Sequence, residues 1–307
     1  MRLVFAGTPE PAVPSLELLA ASRHEMLAAI TRRDAPVGRK RVLTPSPVAH
    51  RAEELDIDVI RADKLDTEVT AKVEALAPDL GVIVAYGGLV REPLLSMPRH
   101  GWINLHFSLL PKWRGAAPVQ HALIAGDTVT GASVFQLVAG LDAGDVYDEI
   151  VHEIEPDATA GELLEQLAIS GASLLARVVD DIAAGTATTR AQTGDPSYAS
   201  KLEDVDGQLI WTQSSDRVLG RFRGVTPAPG AHTTINGARV KVLEARTAPS
   251  DAPTLAPGQV AIHNKEVIIG TATVPIQVRT VQPAGKGSMR AADWFRGLRS
   301  ETVVAGS

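Results

Sequence analysis

Four short apolar runs, separated by segments with helical spacing, dominate the first part of the chain. The runs are Arg2–Ala6, Met26–Thr31, Leu80–Ala85 and Trp102–His106. Each has the length and the near-continuous hydrophobicity of a strand that is buried on both faces. Strands that alternate with helices predict an α/β fold with a doubly wound, mostly parallel sheet. We therefore expect residues 1–188 to form a Rossmann-type domain.

The pattern changes further along the chain. Gly131–Val138 and Asp145–Ile154 are expected to add strands at the edge of the sheet, and Ala160–Ala184 has the apolar spacing of one long helix. Residues 189–206 show no clear period and contain glycine and proline, which predicts a linker. Residues 207–307 contain short β-rich runs separated by turns, which predicts a small OB-like β-barrel domain.

Charge is divided unevenly between these two parts. The chain has a net charge of −6 and no cysteine. Residues 207–307 contain 12 Lys and Arg against 6 Asp and Glu, so they carry +6 and the rest of the chain carries −12. The positive charge of residues 207–307 suggests a polyanionic partner. Ordinary variation in surface charge explains the difference between the two parts about equally well. The lack of cysteine excludes disulfide frameworks and Cys nucleophiles, and it fits a reducing, cytoplasmic compartment.

Several common motifs are absent from the sequence. It contains no G-x-G-x-x-G after the first strand, no G-x-S-x-G and no H-E-x-x-H, which argues against dinucleotide binding, a serine hydrolase and a zinc protease. The 8 histidines are scattered, so no metal site is expected. No run of about 18 apolar residues occurs, so we expect no membrane span.

Asn104 and His106 are the most promising candidates for chemistry. They are two residues apart on a predicted strand, so both side chains point to one face. They lie at the end of that strand, where open α/β sheets bind ligands. An amide can hydrogen-bond a developing oxyanion, and an imidazole can stabilise charge or move a proton. Taken alone, however, such a pair is more often structural.

A second candidate is the turn Gly140–Asp145. Its composition suits an ordinary turn, because Asp and Gly both favour one. Its functional interpretation is a carboxylate brought against His106, which would orient the imidazole and favour its charged form. Asp142 and Asp145 are the two candidates for this role. Asp145 lies at the start of the next strand, which suggests a structural position. We therefore assign the role to Asp142.

These residues lie within longer patterns that resemble a known family. The patterns are N-x-H-x-S-L-L-P-x-x-R-G from Asn104 and L-D-x-G-D from Leu141, with further matches at Phe5–Pro9, Pro45–Val48, Val84–Gly87, Met97–Arg99 and Gln282–Lys286. They span nearly the whole chain. The chain is similar to the 10-formyltetrahydrofolate-dependent formyltransferases, and within them to the members that act on methionyl-initiator tRNA.

The resemblance implies a reaction and a set of residues. A formyl group would move from 10-formyltetrahydrofolate to the α-amino group of methionine on initiator tRNA, with no metal. Asn104 and His106 would stabilise the oxyanion, while Asp142 would hold His106 and help to move a proton from the amine. The folate would contact eight residues: Ser108, Leu109, Leu110, Pro111, Tyr86, Gly87, Gly88 and Leu89. The protein would act as a monomer in the cytoplasm.

The loop after the second strand carries five basic residues against Asp34, a local charge of +4. A loop so charged cannot enter a core, because like charges held close repel one another. Given the resemblance, we expect Arg39, Lys40 and Arg41 to bind tRNA. A solvated surface loop is the alternative.

Two other functions remain open at this point. The first is a related folate-dependent formyltransferase that acts on a small amine, such as a sugar nucleotide or a purine precursor. Such an enzyme would keep Asn104, His106 and Asp142 but would not need the basic loop. The second is an RNA-binding protein on a transferase scaffold without catalysis, which the presence of all three residues argues against.

Overall fold

The computed structural model of the protein describes residues 1–38, 40–298 and 303–306. Its first seven strands are β1 (Arg2–Gly7), β2 (Glu25–Thr31), β3 (Ala35–Val37), β4 (Val42–Thr44), β5 (Val59–Arg61), β6 (Leu80–Val84) and β7 (Trp102–His106). Four more are β8 (Arg114–Gly115), β9 (Val129–Gln136), β10 (Val146–Glu153) and β11 (Tyr198–Ala199). The helices among them are α1 (Val13–Ala20), α2 (Pro47–Glu54), α3 (Thr67–Leu76), α4 (Pro118–Ala125) and α5 (Ala160–Ala184).

Seven of these strands form one sheet in the order β10-β9-β7-β6-β1-β2-β5. The five strands from β7 to β5 are parallel, while β9 runs antiparallel to β7 and β10 antiparallel to β9. The predicted mostly parallel α/β sheet with added edge strands is therefore confirmed. The strand order reverses direction between β1 and β6, and ligands of open α/β sheets bind outside the strand ends at such a point.

Local sequence signals explain where the helices begin. Ser46 caps α2 by accepting a hydrogen bond from the Ala49 amide, with Pro47 in the first turn, and Asp66 caps α3 in the same way through the Val69 amide. Helix α5 has the bounds that its apolar spacing predicts. Gly171 of α5 faces β7 so closely that a Cβ there would lie 3.1 Å from the Leu105 side chain. The helix therefore covers the strand that carries Asn104 and His106.

The second half of the chain forms a separate antiparallel sheet. Its elements are α6 (Ser215–Gly224), β12 (His232–Ile235), β13 (Ala238–Thr247), β14 (Val260–His263), β15 (Glu266–Ile269), β16 (Ile276–Pro283), β17 (Met289–Arg290) and α7 (Ala291–Arg296). The strand order is β12-β13-β16-β15-β14, with β17 paired to β16. Its core is aliphatic around Trp211 and Phe222. The small β-rich, barrel-like domain predicted for this region is confirmed as a curled antiparallel sheet.

Residues 303–306 join the two edges of this sheet. Ala305 forms an antiparallel bridge with Ile235 of β12, and Val304 forms one with Gln259 beside β14. The Ala305 amide donates to the Gly258 carbonyl at 2.7 Å, and the Gly306 amide donates to the Thr234 carbonyl at 2.7 Å. Backbone hydrogen-bonding groups at both edges of the sheet thereby gain partners.

The chain forms two compact units, and neither is a continuous length of sequence. Unit 1 contains residues 1–118, 129–153 and 164–200, and unit 2 contains residues 119–128, 154–163 and 201–307. Unit 2 thus includes most of α4 and the first turn of α5. The predicted division into 1–188, a linker at 189–206 and 207–307 stays a prediction. In the described parts of the chain, no helix is long and apolar enough to cross a membrane.

Candidate active site

Asn104 and His106 lie near the C-terminal end of β7, at the centre of the unit 1 sheet. Asn104 is aligned with Ile83 of β6 and with Phe135 of β9, so sheet neighbours fix the strand on both sides. His106 is buried and meets the Phe135 ring edge-on, with ring centroids 6.4 Å apart. The expected side-by-side placement of the amide and the imidazole therefore rests on a strand that cannot easily shift.

A backbone carbonyl fixes the His106 ring. The Nε2 atom lies 2.8 Å from the Trp113 carbonyl oxygen, which can only accept, so Nε2 carries a proton. In the neutral ring the lone pair is then on Nδ1. That atom is 3.8 Å from the Asp142 Oδ2 atom. Nδ1 is thus the nitrogen at which this histidine can take up a proton, with a carboxylate close by.

Burial lowers the pKa of His106 below its usual 6.5. The negative charge of Asp142 and the hydrogen bond to the Trp113 carbonyl raise the pKa, but they offset only part of the effect of burial. His106 is therefore neutral at pH 7. As expected, the Asp142 carboxylate favours the charged form of His106. The effect of burial is larger, so the net change in the pKa of His106 is downward.

Asp142 reaches this site from a strained turn. Its backbone φ is 44°, in the left-handed region that only a few side chains tolerate. Its Oδ2 atom accepts a hydrogen bond from the Gly115 amide at 2.7 Å. Two residues later, a Cβ on Gly144 would lie 1.7 Å from the Gln136 carbonyl oxygen, so only glycine fits there. Asp145 is exposed, and its assignment as the structural residue of the pair stays a prediction.

Asn104 keeps one polar atom without a partner. Its Oδ1 atom is buried and has no hydrogen-bond partner among the described residues. A buried acceptor without a partner costs roughly 1–3 kcal/mol, so such atoms usually await a ligand or a water. An N–H group of a ligand would satisfy this oxygen.

The predicted folate residues after β6 divide into a core side chain and an exposed loop. Tyr86 is buried, and its hydroxyl donates to the Ala62 carbonyl at 2.9 Å. Gly87 and Leu89 are exposed, and the Gly87 carbonyl accepts a hydrogen bond from Arg32 at 2.8 Å. The loop follows the strand beside β7, at the reversal of strand order. Gly87 and Leu89 are therefore more accessible to a ligand than the Tyr86 side chain, and Gly88 between them is half-buried.

The predicted folate residues after β7 form a tight turn. The Ser108 hydroxyl donates to the Lys112 carbonyl at 2.5 Å, so it is used within the turn. The Ser133 hydroxyl on β9 donates to the Ser108 carbonyl and accepts from the Leu110 amide. Leu109 and Pro111 are only partly buried. Ser108 is buried and its hydroxyl proton is used within the turn, so Leu109 and Pro111 are the more accessible side chains here. The assignment of these four residues to the folate site stays a prediction.

The basic loop contains a short hairpin. Strands β3 and β4 pair in antiparallel fashion, with Val37 opposite Val42, and all six of their residues are exposed. Lys40 and Arg41 lie in the connection between them and are exposed. Arg39, the third predicted tRNA contact, lies outside the described residues.

Sequence reasoning missed the residues that support the candidate catalytic side chains. Trp113 acts through a backbone carbonyl, Ser133 binds the turn after β7, and Gln192 binds the Asp142 turn. Trp113 lies within the pattern that begins at Asn104, and Ser133 lies in a segment predicted only as a strand, but nothing in the sequence says which backbone atoms they contact. Gln192 lies in the predicted linker, where the sequence has no hydrophobic period that could indicate a structural role.

Family comparisons match both halves of the chain. The family described as formyl transferase matches residues 1–179, and the one described as formyl transferase, C-terminal domain, matches residues 201–299. The chain belongs to the formyl transferase family. This membership confirms the resemblance that the sequence patterns indicate, and it gives the Asn104–His106–Asp142 cluster a chemical context.

Relatives within the family match over their whole length. The chain is 59% identical over 305 residues to the methionyl-tRNA formyltransferase of Leifsonia xyli, covering 99% of this chain and 100% of the relative. It is 57% identical over 305 residues to the methionyl-tRNA formyltransferase of Clavibacter sepedonicus, with the same coverage.

A solved structure shows the same fold at much lower identity. The N-formyltransferase of Helicobacter canadensis, solved with folinic acid and dTDP-3-aminofucose, matches with a TM-score of 0.65 at 18% identity. The match covers 92% of this chain and 98% of that one. At this identity the match shows the fold alone, and the fold does not choose the accepting substrate of this chain.

Proposed function

We propose that this formyl transferase moves the formyl group of 10-formyltetrahydrofolate to the α-amino group of methionyl-initiator tRNA, for the initiation of translation. One observation carries the proposal: Asn104, whose buried Oδ1 has no partner among the described residues, stands two residues before His106 on β7, and the Nδ1 atom of His106 lies 3.8 Å from the Asp142 carboxylate. The full-length identity to methionyl-tRNA formyltransferases supports the choice of accepting substrate.

The reaction exchanges one carbon–nitrogen bond for another. The amino nitrogen of methionine attacks the formyl carbon and loses a proton as the new bond forms. The bond from that carbon to N10 of the folate breaks, and N10 gains a proton. The products are formylmethionyl-tRNA and tetrahydrofolate. Negative charge develops on the formyl oxygen during the attack, so the protein must supply donors there and an acceptor for the amine proton.

Asn104 uses both ends of its amide in this scheme. The Nδ2 group donates to the formyl oxygen, and the Oδ1 atom accepts an N–H of the attacking amine. This assignment explains why a buried Oδ1 has no partner within the described protein. One fixed donor of this kind contributes roughly 10²–10³ in kcat.

His106 takes the amine proton at Nδ1, since its Nε2 proton is already held by the Trp113 carbonyl. Once charged, the imidazolium helps to stabilise the oxyanion. Asp142, 3.8 Å away, stabilises that positive charge through space. The orienting hydrogen bond comes from Trp113 rather than from Asp142, so the contribution of Asp142 is electrostatic.

The remaining assignments concern binding. Ser108, Leu109, Leu110 and Pro111 form one wall of the folate site, and the backbone from Tyr86 to Leu89 forms another. Arg39, Lys40 and Arg41 contact tRNA phosphates. Of these, Lys40 and Arg41 are exposed in the connection between β3 and β4. A monomer in the cytoplasm is consistent with a soluble RNA substrate and with a chain that lacks cysteine.

The deciding experiment compares accepting substrates in a formyl transfer assay. Charged initiator tRNA, charged elongator tRNA, free methionine and an amino-sugar nucleotide are each offered with 10-formyltetrahydrofolate. We expect rapid transfer only to charged initiator tRNA. Faster transfer to a small amine would favour the other branch of the family, and no transfer to any substrate would defeat the proposal.

A further inference from the structure

Gln192 uses every hydrogen-bonding position of its amide in the candidate active site. Its Nε2 group donates to the carbonyl oxygens of Asp142 and Gly144, each at 2.8 Å. Its Oε1 atom accepts from Arg114, at 3.2 Å from Nε and 2.6 Å from Nη2. An amide offers two donors and two lone pairs, so this half-buried side chain is fully satisfied.

The residues beside Gln192 bind the segment 113–115, which contacts both His106 and Asp142. We refer to residues 190–199 as the brace segment. The Ser197 hydroxyl accepts from the Trp113 amide at 2.9 Å, and the Ser197 carbonyl accepts from the Arg114 amide at 2.8 Å. Ala199 of β11 pairs with Gly115 of β8. Two backbone hydrogen bonds, each 2.9 Å long, also join Arg190 to Val146 at the start of β10.

These contacts meet at the groups that carry the chemistry. The Trp113 carbonyl orients His106, and the Gly115 amide holds the Asp142 carboxylate. The brace segment thus fixes both sides of the 3.8 Å gap between His106 and Asp142. The Asp142 turn needs such support, because a non-glycine residue at φ 44° persists only where its surroundings determine it.

We propose that Gln192 is a positioning residue for formyl transfer, which acts by locking the Asp142 turn to Arg114 and so setting the carboxylate beside His106. The inference rests on the proposed function. In this proposal Gln192 acts on the Asp142 turn and on neither substrate. Its effect therefore belongs to the chemical step and not to the binding of folate or tRNA.

The first test is Gln192→Ala, with Thr193→Ala as the matched control. Thr193 is the next residue along the chain and is exposed. A displacement of about 1 Å in a catalytic group can cost about 100-fold, so we expect a loss in kcat of about 10- to 100-fold in Gln192→Ala. The KM values for both substrates should stay close to those of the wild type, and Thr193→Ala should behave as the wild type.

Gln192→Glu separates the two ends of the amide. The carboxylate keeps the length of the side chain and still accepts from Arg114, but it loses both donors and faces two carbonyl oxygens. If positioning of Asp142 is the role, this variant loses kcat as Gln192→Ala does. Full activity in Gln192→Glu would mean that only the contact with Arg114 matters, and would overturn the proposal.

A double-mutant cycle with Asp142→Asn distinguishes positioning from general stability. Positioning through Asp142 predicts that Gln192→Ala costs little further kcat once the carboxylate is gone, measured in single turnovers. Multiplying losses would overturn it. If Gln192→Ala does not fold, as judged by its thermal transition, the same cycle with Gln192→Glu decides. Lack of transfer by the wild-type protein would instead defeat the proposed function, which separates the two failures.

Discussion

The candidate catalytic cluster and the basic hairpin are built in opposite ways. Around His106, groups from residues 113, 133, 142 and 197 converge through hydrogen bonds. The side chains of His106, Ser133 and Asp142 are buried, and those of Trp113 and Ser197 are half-buried. In the β3–β4 hairpin, pairing is between near neighbours in sequence and every strand residue is exposed. A group that stabilises a transition state must be fixed before the substrate arrives, whereas a surface that meets RNA phosphates needs charge and access.

This contrast predicts a division of kinetic effects. Changes in the buried cluster should lower kcat with little effect on substrate binding. Changes in the hairpin should raise the KM for tRNA with little effect on folate binding. The predictions below test that division, from the largest expected effect to the smallest.

Asn104→Ala should have the largest effect. It removes the donor to the formyl oxygen, so we expect kcat to fall by about 10²–10³. Folate affinity should change little, and equilibrium binding of the folate provides the control. If kcat stays within about threefold of the wild type, the oxyanion role of Asn104 is wrong.

Asp142→Asn and Asp145→Asn form a matched pair within one turn. Asp142→Asn removes the charge that supports His106 but keeps an oxygen that can accept from the Gly115 amide. We therefore expect kcat to fall by about 100-fold, the range of general acid–base effects, with little change in Tm. Asp145 is exposed, so its variant should keep full activity. Equal losses in kcat at both positions would contradict the assignment.

Neutralising the hairpin tests the other side of the comparison. Arg39→Ala, Lys40→Ala and Arg41→Ala together should raise the KM for tRNA by about tenfold, with kcat for bound tRNA largely kept. Each lost phosphate contact should also reduce the slope of log K against log salt by about 0.7–0.9, measured between about 50 and 200 mM salt.

The control for the hairpin removes positive charge elsewhere on unit 1. Lys64→Ala with Lys72→Ala eliminates two exposed lysines and should leave the KM for tRNA close to that of the wild type. If the hairpin variant and this control both raise the KM for tRNA to a similar extent, the effect is one of net charge. If neither changes the KM, the hairpin is an ordinary solvated segment. A loss of kcat in the hairpin variant but not in the control would show that the hairpin also affects the chemical step.

The smallest expected effect is in the titration of His106. NMR of its ring should give a pKa below 6.5, and Asp142→Asn should lower that pKa further, since the Asp142 charge raises it. A pKa that is lower when folded contributes stability above pH 6.5, and this is lost as the pH falls through the folded pKa. The Tm should therefore decline on acidification, less so in His106→Gln. A pKa above 6.5 would contradict the argument from burial.

The elements that carry the site were largely predictable from sequence. Strand β7 and helix α5 have the predicted bounds because each has a strong apolar period. The hairpin at residues 35–44 and helix α4 were not predicted, since both are short and lack a clear period. In the second unit, only short β-rich runs were predicted, whereas β13 is ten residues long, because it continues past two irregularities in register that interrupt the alternation.

The candidate site was predictable to a lesser depth. Asn104, His106 and Asp142 stand in patterns whose side-chain chemistry is visible in the sequence. Their supports are not visible, because the Trp113 contact uses a backbone atom and the Gln192 contacts join positions about fifty residues apart. Such contacts depend on tertiary structure, and a segment with no period carries no local signal of them.

The interleaving of the two units constrains how such a chain can change by recombination. Residues 119–128 and 154–163 belong to unit 2, although unit 1 segments flank them on both sides. A single crossover between two related genes near residue 200 would combine those two segments from one parent with the rest of unit 2 from the other. Side chains that were never selected together would then share one core. Because segments of the two units alternate along the chain, we expect the units to be inherited together and not exchanged as separate modules.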